Sequence, residues 1–89
     1  MNAEKPKLSD LPNIGKVVAE KLTEVGVETP EQLFSMGSQN VFLRLKTVDP
    51  GACLSMLCGL EGAIQGVRWH NLDAAKKQEL RIFYNSLKK

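Results

Sequence analysis

Apolar residues fall at Ile14, Val18, Leu22 and Val25, spaced i, i+4, i+8 and i+11, the stripe of one helical face. Lys16, Glu20 and Glu24 lie on the other side, and Gly26 stands where a left-handed residue ends a helix. Ahead of this stripe, Leu8-Ser9-Asp10-Leu11-Pro12-Asn13-Ile14-Gly15 reads as one short helical turn and a tight connection. Thr29-Pro30-Glu31-Gln32 opens the next helix: Thr29 caps it, Pro30 suits its first position, and Gln32 reaches back to the Thr29 amide. Leu33, Phe34 and Met36 are its apolar positions, and Gly37 stops it. Another helix starts near Ser38, with Val41, Phe42, Leu43, Leu45 and Val48 apolar. Asp49-Pro50 repeats the cap-and-proline device and predicts a helix running to about Ile64. That helix is apolar nearly all round, which marks it as the buried element on which the others pack. Gly59 and Gly62 within it permit close approach of neighbours. Gly66 ends it, and a last helix is predicted from about Leu72 to Leu87. No strand alternation occurs, and Leu45 to Gly51 echoes Leu8 to Gly15 too loosely to count as a repeat. The pattern predicts an all-α bundle of five to six short helices around a buried central helix. One domain covers residues 8–89, and residues 1–7 form a polar, flexible tail.

Composition narrows the class. A chain of 89 residues that is 43% hydrophobic and 25% charged makes one globular domain with a modest core. No uncharged stretch approaches the roughly 20 residues of a membrane span, and MNAEKPKLSD at the start lacks the apolar run of a secretory signal. A cytoplasmic protein with no membrane partner is expected. Cys53 and Cys58 diverge by about 140° on a helix and cannot pair there, and one histidine adds too few ligands for zinc. Both thiols are expected to be reduced core side chains. The net charge of +2 does not by itself imply a nucleic-acid partner, but it is unevenly spread. Residues 68–89 hold Arg68, Lys76, Lys77, Arg81, Lys88 and Lys89 against Asp73 and Glu79.

Three groups of residues are candidates for chemistry or binding. Asn13, Ile14, Gly15 and Lys16 form a tight turn opening a helix, where unpaired amides at a positive dipole end seat a phosphate. Lys16 and Lys21 add charge without reading bases, as in helix-hairpin-helix modules. The plainer alternative is a turn that only packs two helices, with Asn13 as N-cap. On the last helix Lys77, Arg81, Tyr84 and Lys88 fall within about 60° of one another, an interaction face with an aromatic among cations. The plainer alternative is a solvated face whose terminal lysines complement the helix dipole; Ile82, away from the Leu80, Phe83 and Leu87 face, is a candidate partner-facing apolar spot. Arg44 and Glu61 stand alone in apolar segments, which predicts a buried ion pair between the fourth and fifth helices. Trp69 is expected to anchor the bundle between central and last helices. His70 has no Ser, Cys or Asp partner at useful spacing, and no phosphate loop or nucleophile elbow occurs. No enzyme activity, cofactor, metal or small-molecule substrate is expected.

Taken together, Leu11-Pro12-Asn13-Ile14-Gly15, Glu20-Lys21-Leu22, Val25-Gly26-Val27, Gln32-Leu33, Phe42-Leu43-Arg44-Leu45, Leu60-Glu61-Gly62-Ala63-Ile64 and Trp69 resemble the C-terminal domain of the TfoX/Sxy regulators of bacterial competence. The resemblance covers roughly residues 8–87. It implies a SAM-like or helix-hairpin-helix bundle, a bacterial cytoplasmic home and a regulatory, non-catalytic role. Such regulators carry a further domain before this one, so the chain reads as a stand-alone version. Two readings of function stay open: a module binding double-stranded DNA through its backbone, and a SAM-like module for a protein partner or homodimer.

Overall fold

The computed structural model describes residues 7–87; most of the expected tail, and Lys88 and Lys89, lie outside the described residues. Among the described residues a 3-10 turn at Leu8–Asp10 precedes α1 (Lys16–Glu24), α2 (Pro30–Met36), α3 (Ser38–Val48) and α4 (Leu54–Gln65). A second 3-10 turn, Trp69–Asn71, leads into α5 (Ala74–Ser86), and no strand occurs. The fold is the all-α bundle that the apolar pattern predicts. Its centre is α4, which buries Leu57, Cys58, Gly59, Leu60, Gly62 and Ala63 and packs on α2, α3, α5 and the second 3-10 turn. Leu22, Val27, Leu33, Val41, Phe42 and Leu45 close the core around it, all fully buried.

Local chemistry sets the element ends. Gly26, Gly37 and Gly66 take positive φ where α1, α2 and α4 stop. The Thr29 hydroxyl accepts from the Gln32 amide at 3.2 Å and caps α2 as expected. The Gln32 carboxamide oxygen, however, accepts from the Glu28 amide at 2.6 Å, one residue ahead of the expected Thr29.

Four expectations are corrected. The helix after Asp49-Pro50 starts at Leu54, with Cys53 as its N-cap. Asp49 does not cap it, because its carboxylate accepts from Lys21 Nζ at 3.0 Å. Arg44 and Glu61 are not an ion pair. Position 44 turns about 100° away from the buried Val41, Phe42 and Leu45 stripe, and its guanidinium donates to the Val25 carbonyl at 3.1 Å, at the negative end of α1. Glu61 accepts instead from the Ser38 hydroxyl and the Gln65 carboxamide, each at 2.7 Å, and ties α4 to the start of α3. Trp69 is 40% exposed and does not anchor the bundle, since Leu72, at 5%, fills the buried place before α5. Cys53 is exposed at its cap position, so only Cys58 is a core thiol.

The two halves share a local pattern in a different register, at the turns that precede α1 and α4. Pro12 and Pro50 hold the second position of two turns lying 38 residues apart. In these the Ile14 amide donates to the Leu11 carbonyl at 3.3 Å, and the Ala52 amide to the Asp49 carbonyl at 2.9 Å. Gly15 and Cys53 are the N-caps that follow, and Leu22 and Leu60 are the buried residues at matching positions. Each turn joins a leading helical element to a longer helix as a hairpin, the first led only by a 3-10 turn, but Asn13 takes positive φ in the first and Gly51 does not in the second.

Candidate nucleic-acid interface

The first hairpin is built on Asn13, the one non-glycine residue with positive φ (+69°) among the described residues. Pro12 fixes the second turn position, and asparagine tolerates the left-handed third position better than most residues. Its side chain does not cap α1. The carboxamide nitrogen donates to the Val67 carbonyl at 2.9 Å and the Gly59 carbonyl at 3.3 Å, while its oxygen accepts the Trp69 amide at 3.0 Å. Gly62 makes room for this clamp: a Cβ there would lie 2.6 Å from both Asn13 Nδ2 and the Val67 carbonyl oxygen. Ile14 is buried at 4% and fixes the turn to the core.

Gly15, Lys16 and Val17 then face solvent. Gly15 is the N-cap in extended conformation, no side chain caps α1, and a Cβ on Gly15 would meet nothing within 4 Å. The first-turn amides of α1 therefore open to water at the positive end of a nine-residue helix. Among the described residues the Lys16 side chain makes no hydrogen bond or ion pair. On its flank an open hollow of about 520 Å³ sets Lys7 and Lys16 against Glu20 and Glu28. Lys21 is withdrawn from the turn by its pairing with Asp49. Of the five residues singled out, Gly15 and Lys16 form the surface, Asn13 and Ile14 hold it in place, and Lys21 does other work.

Of the four residues expected to share a face of the last helix, the three described ones do not make one open face. Lys77 Nζ donates to the His70 carbonyl at 3.0 Å. Tyr84 is half-buried with its ring tilted against Phe42, centroids 6.0 Å apart. Arg81 is exposed, and Lys88 lies outside the described residues. Ile82, 60% exposed, is an apolar spot on the surface as its wheel position predicts.

Sequence reasoning missed Arg68 and the surface role of Trp69. Both line a cleft of about 220 Å³ between the first hairpin and the start of α4, where Ile14 and Val18 face Ser55 and Met56. An Arg-Trp pair one residue beyond the Gly66 stop was the available signal, but a lone tryptophan in a small chain reads first as core. The Cys53 thiol is pulled below its usual range by the Ser55 hydroxyl and by amides at the start of α4, whereas burial pushes the Cys58 thiol up. Among the described residues no His, Cys, Asp and Glu side chains gather into a metal-binding set, and no helix is long and apolar enough to cross a membrane.

Comparison with known proteins places this geometry. Residues 4–84 match the family described as the TfoX C-terminal domain. Protein Sxy of Escherichia coli (strain K12) is 35% identical over 81 residues, covering 91% of this chain and 39% of Sxy. The chain thus spans about two fifths of that relative's length. A crystal structure of an uncharacterised protein from Listeria monocytogenes, in a triclinic form, is 51% identical with a TM-score of 0.91, covering 93% of this chain and 94% of that one. A tetragonal-form structure of a Listeria monocytogenes protein of unknown function is 51% identical with a TM-score of 0.86, covering 90% and 99%.

Proposed function

This chain belongs to the TfoX C-terminal domain family, and from that premise we propose that it is a non-catalytic bacterial regulatory module binding the backbone of double-stranded DNA. Gly15, Lys16 and the first amides of α1 make the contact, and no base is read. The observation that carries this reading is the uncapped, exposed start of α1 beside an unengaged Lys16. Amides at a helix N-terminus and a lysine are the groups that position phosphate without sequence information. With Lys21 held by Asp49, a single lysine contributes at this hairpin, so affinity falls in the non-specific range of about 10⁻⁴–10⁻⁶ M.

Lys16→Glu tests it. The variant keeps its helical circular dichroism and loses retardation of a duplex fragment in low salt. Retardation equal to wild type would remove Lys16 from the interface. A protein-binding module is the second reading, and its supporting observation is the exposed apolar set Val17, Phe34 and Ile82, at 62%, 47% and 60%. Absence of any retardation by wild type in low salt would favour it.

A further inference from the structure

The first hairpin is locked to a second exposed segment. Asn13 accepts the Trp69 amide and donates to the Val67 carbonyl, which fastens Val67-Arg68-Trp69 to the turn. Lys16 lies on one flank of the α1 N-terminus. Ile14 and Val18, about 160–200° around the helix from it, wall the cleft whose far rim is Arg68 and Trp69. The helix start is thus bracketed by two cations. The Arg68 carbonyl accepts from the Asn71 amide at 2.9 Å, but its exposed guanidinium makes no hydrogen bond or ion pair among the described residues, and no carboxylate lines the cleft. Glu61 and Glu79 line a different hollow with Ser38, and on α4 Glu61 points about 100–160° away from the Gly59 and Gly62 face that meets Asn13. The indole is 40% exposed, set edge-on against His70 with centroids 5.6 Å apart, and Lys77 pins the His70 carbonyl. Arginine presents a planar fork of donors that matches a phosphate, and the exposed indole beside it offers an apolar face.

We propose that Arg68 and Trp69 form a second contact on the same duplex, with Arg68 on a phosphate and the indole against the sugar face of the strand. The inference rests on the hairpin reading and adds the contact that reading lacks. A sugar-phosphate strand alternates an anion with an apolar sugar. Across the α1 N-terminus the protein alternates in kind: Lys16, open amides, an apolar cleft wall, Arg68 and an indole. An acidic peptide also offers acceptors to the cations and amides but lacks the regular alternation of anion and apolar sugar, so duplex DNA is the occupant this rim fits.

The experiment is fluorescence-anisotropy binding of a labelled duplex, from about 50 to 200 mM salt, to wild type, Lys16→Gln and Arg68→Gln. In parallel, unlabelled duplex is titrated against the emission of Trp69, the one tryptophan of the chain. Each variant should keep its circular dichroism, and each should flatten the slope of log K against log salt by about 0.9, one phosphate contact. Wild-type Trp69 emission should change saturably along the same isotherm. Should Lys16→Gln flatten the slope while Arg68→Gln does not and Trp69 emission stays constant at saturation, the second contact is overturned and the hairpin reading stands. A slope that depends on Arg68 but not on Lys16 keeps the rim and discards the hairpin. If poly-glutamate changes Trp69 emission and duplex does not, the rim is a protein site and the proposal falls.

Discussion

At Asn13 the backbone φ of +69° and three side-chain hydrogen bonds coincide, so one residue shapes the turn and fastens it to α4 and the Arg68–Trp69 segment. Asn13→Ala should lower the unfolding free energy by about 2–3 kcal/mol. That figure combines left-handed strain with part-buried donors and acceptors left unpaired. Asn13→Gly, which removes the strain and keeps the loss of bonds, should cost less, and urea unfolding of both variants checks the order. Equal losses would mean that the strain is negligible. Asn13 was legible as a turn residue from Pro12-Asn13-Ile14-Gly15, but not as a clamp, since its partners lie 46 to 56 residues away. Arg44 and Glu61 show the same limit. A charge in an apolar segment tells how apolar the segment is, not which way that position faces, and both side chains found uncharged partners nearer than each other.

At the scale of elements, the helices were legible because capping and stop residues act locally. Thr29 with Pro30 at the start of α2, and Gly26, Gly37 and Gly66 at helix ends, behave as their chemistry dictates. The start of α4 was misplaced because Asp49 has a competing use, its ion pair with Lys21, that no local pattern reveals. The shared turn pattern was obscured because, from residue 11 to 22 against 49 to 60, only proline and the last leucine coincide. Cys53 inherits the cap position that Gly15 holds in the first hairpin, and no side-chain cap hydrogen bond forms there. Serine is a far better N-cap than an aliphatic residue, so Cys53→Ser should stabilise the fold by about 0.5–1 kcal/mol. A shift of the urea midpoint to higher concentration at unchanged slope is the expected result, and a lower midpoint would show that the thiol itself supports α4.

At the scale of the whole molecule, a net charge of +2 hides a division of labour. Glu61 and Glu79 sit by the start of α3 and Asp49 pairs with Lys21; Lys16, which shares its hollow with Glu20 and Glu28, and Arg68 have side chains without an ion pair among the described residues. On the proposed reading, two phosphate contacts would give weak binding that salt dissolves easily, and a sequence-blind contact would make one duplex as good as another. The direct measurement is therefore equilibrium binding of the wild-type chain to two duplexes of unrelated sequence across about 50 to 200 mM salt. Equal affinities for the two duplexes, with log K falling against log salt at a slope of about −2, are the predicted result. A tenfold preference for one duplex, a slope indistinguishable from zero, or no binding at about 50 mM salt would contradict it.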